Sequence, residues 1–437
     1  ASSPLAAPSR IPLHAFTARS PVALAAPPIQ TVCVSIDHPC DAADVAMAPS
    51  GLIVGDWAGK MKMPLASLPK ERTPKLLEPV KLGDLALRNR YAMSSLTRGR
   101  SGKERVANDL NAAYYADRAV YSGLILSEGT HTSNAAEGWD QSPGIYTEEH
   151  AEGWKKSVDA VHAKGALMVA QLWHCGRAGH VMFQKDGRAP PSASAIQINP
   201  EAGQAHCPDG QKRPFSVPRE LSLDEIPDLL EEYRNAARMA KKAGFDGVEV
   251  HAANGYLLNC FLESKTNTRT DQYGGSIENR YRLLGEVLQA VFEVYPSTSV
   301  GVKLSPNGIF NDMGSPDNVE MYDYVLAELS KLDLAYVQVM SGLAFGFHEK
   351  CEVYTIERVR EKYSGNIIAN CGYTCKEAEE MLASGTCDAI SFGRPYIENP
   401  DLPYRWATGK ELTPADASTW FTHDPKGYND FPPADQE

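Results

Sequence analysis

The chain has 437 residues, 43% of them hydrophobic and 22% charged, the balance of a globular protein rather than a disordered or fibrous one. Its formal net charge is −12 with no long Lys/Arg stripe, which argues against a nucleic-acid partner, and no run approaches the roughly 18 apolar residues of a membrane span. Nine cysteines, an odd count without a C-x-x-C pair, point to free thiols rather than a disulfide framework or a structural zinc.

Residues 1–74 differ from the rest. Up to Ile36 they are rich in Ala, Ser and Pro, carry Arg10 and Arg19, and include no acid before Asp37. That composition predicts a plastid or mitochondrial leader with a linker behind it; the alternative is a Pro/Ala-rich tail without an address on a cytoplasmic protein. One domain is expected over 75–437. Pro79–Leu82 and Leu85–Leu87 flank Gly83-Asp84, a pair suited to a type II′ hairpin. Short apolar runs then alternate with helical patterns. Strands are read at Tyr91–Ser94, Leu124–Glu128, Leu167–Trp173, Gly247–His251, Ser299–Leu304, Ala335–Met340, Asn366–Asn370 and Ala389–Phe392. Helices include Glu148–Ala163, Leu223–Phe245, Ile277–Val294, Pro316–Lys331 and Lys376–Ala383, with capping boxes at Ser222/Glu225 and Thr374/Glu377. This is the pattern of an α/β protein, a closed (β/α)₈ TIM barrel with an N-terminal hairpin cap and a long N-terminal extension. A G-x-G-x-x-G after a strand is lacking, so a Rossmann site is not supported.

In such barrels chemistry collects at the C-terminal ends of the strands. After the fourth strand His251, Asn254 and Tyr256 fall within six residues. A lone histidine there reads equally well as a structural one; the neighbouring amide and phenol favour a site. The seventh and eighth strands end in Asn370-Cys371-Gly372 and Phe392-Gly393-Arg394, small residues whose backbone N–H groups, with a fixed cation, suit a phosphate. Glu128, His174 and His251 make a poor metal set, mixed as they are with amides, an indole and a lysine. The residues thus indicate a phosphate-anchored cofactor, with no metal. They leave open flavin mononucleotide or pyridoxal phosphate, for which Lys303 would be the Schiff-base lysine.

Several longer motifs stand in order along the chain: Leu96-Thr97-Arg98, Asn108-Asp109-Leu110, Gln171-Leu172-Trp173-His174-Cys175-Gly176-Arg177, His251-Ala252-Ala253-Asn254-Gly255-Tyr256, Asn267-Thr268-Arg269 through Gly274-Gly275-Ser276, and Phe392-Gly393-Arg394. With them the chain, from about Leu76 to Pro433, resembles the Old Yellow Enzyme family of FMN-dependent, NAD(P)H-oxidising ene-reductases. The resemblance implies non-covalent FMN, NADPH or NADH as reductant, a small-molecule alkene carrying a carbonyl or nitro group, and a monomer or homodimer. It also implies residue roles. Ser95, Leu96, Thr97, Gly129, Gln171, His251 and Lys303 would contact the flavin, and Cys371, Gly372, Gly393 and Arg394 its phosphate. His251 and Asn254 would bind the substrate oxygen and Tyr256 would donate a proton, while Trp173, Phe310 and Tyr428 would line the substrate pocket.

Three positions depart from the family pattern. Ser95 replaces a common proline, with little at stake. Cys371 stands where glycine is frequent, which matters if the backbone there needs positive φ. Lys303 replaces an arginine, keeping the cation but losing the planar fork, so an altered flavin potential or looser FMN is expected. The His251/Asn254 pair differs from the paired histidines of many plant members, which speaks against an oxylipin substrate. Two other readings stand beside this one: a non-catalytic barrel that holds flavin weakly, and a metal-dependent barrel hydrolase.

Overall fold

Strands such as Leu124–Leu126 and Leu167–Ala170 carry apolar side chains on both faces and need cover on both sides. In the computed structural model, which describes residues 57–346 and 348–436, they receive it. Eight parallel strands, Tyr91–Met93, Leu124–His131, Leu167–Trp173, Gly247–Ala252, Val300–Leu304, Tyr336–Met340, Ile367–Asn370 and Ala389–Phe392, pair each with the next, and the eighth with the first, closing a barrel. The described residues all belong to the unit Gly51–Glu437. The acid-poor segment at 1–36 lies outside them.

Strand ends follow the sequence reading to within one residue except in the second strand, which was expected to stop at Glu128 and instead runs to His131. A bulge between Leu126 and Gly129 shifts its register, and the Ser127 hydroxyl takes the Gln171 amide hydrogen in place of a ladder partner. Glu128 is thereby turned out to accept from the backbone N–H groups of Arg98 and Gly99, at 2.9 and 3.0 Å.

The helix after the third strand buries Ile226, Leu229, Tyr233, Ala237, Ala240 and Ala243, the face its 3.6-residue period marks out, and Gly244 closes it. It begins at Ile226 rather than Leu223. Pro227 has no N–H to donate back to Leu223, so the Ser222/Glu225 capping box sits on a single 3₁₀ turn ahead of the helix.

The hairpin Val80–Leu82/Leu85–Leu87 plugs the N-terminal mouth of the barrel. Leu82, Leu85 and Leu87 pack onto Ala92, Leu124, Leu126 and Val169, each leucine contributing about 1.5–3 kcal/mol on burial. Gly83, at φ +57°, cannot be replaced there, because a Cβ would lie 2.1 Å from the Thr298 carbonyl oxygen. Residues 57–74, read above as linker, also pack onto the barrel: Trp57 donates to the Asn429 carbonyl, Ala58 N to Asp117, and the Tyr121 hydroxyl to the Met63 carbonyl. Their apolar side chains Leu65 and Leu68 join Tyr121 and Ala407 in a small core of their own.

Candidate active site

Register fixes the floor of the site. Glu249 lies beside Gln171, His251 beside Lys303, and Lys303 beside Gln338 on neighbouring strands. Glu249 is fully buried and accepts from the side-chain amides of Gln171 (2.7 Å) and Gln338 (2.8 Å). Gln171 therefore spends one of its two side-chain N–H groups on Glu249 and has its Oε1 to present to a ligand. Burial pushes the Glu249 carboxyl above 4.5 and the Lys303 ammonium below 10.5, each partly restrained by the other.

Above this floor two cavities meet. One of about 70 Å³ is lined by Ser95, Thr97, Gly129, Gln171, Trp173, His251, Asn254, Tyr256 and Lys303. The other, of about 400 Å³, shares Ser95, Asn254 and Lys303 and is completed by Leu96, Phe310, Cys371, Gly372, Gly393 and Arg394. Every site residue read from the sequence lines one or both, with one exception. Tyr428 does not reach the cavity: it is fully buried, stacked flat on Tyr114 at 4.0 Å, with its hydroxyl taken by Asn111. In the same segment Trp420 lies under the Arg394 guanidinium at 5.6 Å, and Phe421, 40% exposed, leans on Trp139 and on His206. Trp139 and His206 stack at 4.5 Å. His206 comes from the loop over 196–216, whose Ala205, Cys207 and Phe215 form a cluster packed against Tyr256.

Tyr256 meets both Trp173 (4.9 Å, 80°) and His251 (5.0 Å, 75°) edge to face. Burial lifts its phenol above the ordinary 10.0; burial, then the Lys303 charge, hold the His251 imidazole well below 6.5 and hence neutral. Among the described residues His251 Nδ1, Asn254 Oδ1 and Trp173 Nε1 are buried without a hydrogen-bond partner. Such atoms at the rim of a cavity call for a ligand with polar edges. At the far end the Cys371-Gly372 and Gly393-Arg394 backbones and the Arg394 guanidinium offer a phosphate cradle, and Arg394 lies over the Phe345 ring at 4.6 Å. FMN fits this donor set. A metal does not: no group of three or more His, Cys, Asp or Glu among the described residues could hold one, and Glu128 and His174 are turned to backbone amides.

Cys371 adopts φ +84°, the left-handed conformation in question above. A side chain there costs roughly 1–2 kcal/mol, and a β-branched one more. Cys371→Gly is expected to melt no lower than the parent, and Cys371→Val roughly 1–2 kcal/mol less stably; equal melting of the two variants would rule the strain out. The C-terminal segment is pinned by His423, whose Nδ1 faces the Gly99 carbonyl (2.8 Å) and whose Nε2 faces Asp140 (3.2 Å). Both ring nitrogens face acceptors, so the imidazolium is preferred, and Asp140 above all raises its pKa over 6.5. This contribution to stability is complete below pH 6.5 and is lost as pH rises through the raised value. Thermal melts across that window are expected to show a decline that His423→Gln abolishes.

A closed (β/α)₈ barrel with a phosphate cradle after its last two strands and polar ring-edge partners on its floor defines a flavin-dependent oxidoreductase. Residues 75–413 match the NADH:flavin oxidoreductase / NADH oxidase family, and the chain belongs to that family, the one typified by Old Yellow Enzyme. It is 40% identical over 360 residues to 12-oxophytodienoate reductase 1 of Oryza sativa subsp. japonica, covering 82% of this chain and 92% of that protein. Morphinone reductase in complex with tetrahydroNAD aligns with 42% identity and a TM-score of 0.76 over 82% of this chain and 98% of that one. The Old Yellow Enzyme homologue of Zymomonas mobilis aligns with 41% identity and a TM-score of 0.77 over 82% and 99%. The protein is an FMN-dependent, NAD(P)H-oxidising enzyme. No helix among its described residues is long and apolar enough to cross a membrane.

Proposed function

We propose that the enzyme reduces the C=C bond of α,β-unsaturated carbonyl compounds, nitroalkenes being the other class that fits, and that His251, Asn254 and Tyr256 do the work of the protein in that step. The observation that carries this reading is the convergence of those three residues on one cavity, with the His251 Nδ1 unsatisfied and the Tyr256 ring wedged between Trp173 and His251. When bound, FMN supplies a hydride, taken from the nicotinamide, to the β-carbon of the alkene. Negative charge then builds on the carbonyl oxygen, where neutral His251 and the Asn254 amide donate and stabilise it more strongly than in the ground state. Tyr256, uncharged at neutral pH, gives its proton to the α-carbon. Lys303 and the Gln171 amide hold the flavin ring, and Thr97 its edge.

The relatives divide between oxophytodienoate and morphinone reductases at comparable identity, and the Asn254 partner of His251 favours no oxylipin. The visible spectrum tests the cofactor and its reductant together: the purified protein is expected to be yellow and to bleach on anaerobic NADPH, and enone to restore the colour. A colourless protein that takes up no FMN would overturn the reading. Lys303→Arg is expected to shift the flavin midpoint potential or tighten FMN retention, and identical values in both proteins would discount the missing fork. The leader proposed for the acid-poor segment up to Ile36 is tested by fusing that segment to a fluorescent reporter; diffuse cytoplasmic signal counts against it.

A further inference from the structure

Glu249, in the fourth strand, is a fully buried carboxylate that lines neither cavity and takes no part in the proposed reaction. Burying a charge is costly unless partners compensate it, and here the partners are specific. Its Oε1 accepts from the Gln171 amide of the third strand at 2.7 Å, and its Oε2 from the Gln338 amide of the sixth strand at 2.8 Å. The second bond crosses the fifth strand, which sets Gly301 opposite Glu249 and so puts no side chain in the way. Beyond it, the Ser391 hydroxyl of the eighth strand donates to the Gln338 Oε1. Four side chains thus form one hydrogen-bonded line across the floor of the barrel. An ionised carboxylate only accepts, so Glu249 obliges both amides to turn an N–H toward it. Gln171 is left with its Oε1 and its second N–H, an acceptor and a donor side by side, for the cavity it lines. The pyrimidine edge of a flavin carries the matching N–H and carbonyl. Lys303 stands two residues beyond Gly301, on the same face of the fifth strand, and next to Gln338.

We propose that Glu249 is a positioning residue for the cofactor: it holds the Gln171 amide in the orientation that meets the flavin ring, and its negative charge, set behind Gln171 and Lys303, opposes the charge the ring gains on reduction. This rests on Gln171 and Lys303 being the residues that hold the ring. A flavin that takes up a hydride gains two electrons and one proton, hence one negative charge, and a carboxylate buried nearby makes that charge harder to place. Burial raises the Glu249 carboxyl, while the Lys303 charge and the two amides favour its ionised form.

Glu249→Gln removes the charge and keeps the shape. With FMN in excess, its flavin midpoint potential is expected to lie above that of the parent. Glu249→Asp keeps the charge but is one methylene shorter and no longer reaches both amides. The flavin-free Glu249→Asp protein is expected to bind FMN about tenfold more weakly, the worth of one hydrogen bond, with the midpoint potential close to parental. A merely structural role would lower the melting point of both flavin-free variants and leave the potential where it was. A parental potential in Glu249→Gln, or a parental FMN affinity in Glu249→Asp, would overturn the proposal while leaving Gln171 and Lys303 at the ring. The FMN titration of Glu249→Asp decides alone if Glu249→Gln does not fold. Parental FMN affinity in Gln171→Leu would remove Gln171 from the ring, and the proposal with it.

Discussion

Tyr256→Phe is expected to slow enone reduction about 10²–10⁴-fold, the usual worth of a positioned general acid, while NADPH bleaches the variant at the parental rate. The substitution is clean because the ring stays. Its edge-to-face contacts with Trp173 and His251, and its packing against the loop cluster of Ala205, Cys207 and Phe215, are all made by carbon. What is lost is the phenol that lines the smaller cavity beside His251 and Asn254. The pH dependence follows from the same geometry. With the phenol raised above 10.0 and the imidazole held below 6.5, neither changes charge between those values, so neither is expected to put a break in the alkene-reducing rate across that interval. A break inside it that persists in Tyr256→Phe would belong to another group of the site, Lys303 or Glu249. Equal rates for parent and variant across several enones would remove Tyr256 from the mechanism.

The barrel was legible in the sequence because short, largely apolar runs alternate with helical patterns along the chain, and because Gly244 and the Thr374/Glu377 box act through neighbours a few residues away. His251, Asn254 and Tyr256 were legible for the same local reason: one short stretch supplies all three. Features that depend on register or on distant partners were not. The bulge that carries the second strand on to His131 is a relation between two strands, and no residue of Ser127-Glu128 announces it. Tyr428 is an aromatic in a loop like Phe421; only the flat stack on Tyr114 shows that it belongs to the core. Glu249 did leave a trace, a lone carboxylate inside Val248–Val250, but its purpose appears only when the amides of Gln171 and Gln338 arrive from neighbouring strands. The positive φ of Cys371 could be posed as a condition and not answered, since nothing adjacent forces it.

His251→Ala is expected to lower kcat/KM for enones by about 10²–10³-fold, the cost of removing one preorganised donor from a developing oxyanion. Two features of the site make the effect large. The imidazole is 5% exposed, in surroundings of low polarity where a hydrogen bond to a growing charge is worth more than in water. It also carries no charge: burial and Lys303 both oppose protonation, so the donor is a neutral N–H whose strength rises with the charge it meets rather than binding the ground state tightly from the outset. His251→Gln, which returns an N–H at a different reach, is expected to recover part of the loss, whereas His251→Ala with Asn254→Ala falls short of the product of the single losses because the two donors serve one atom. Flavin content and melting point separate this from unfolding. If His251→Ala raised KM alone and left kcat intact, the histidine would be a ground-state anchor, and stabilisation of the charged oxygen would have to come from Asn254 by itself.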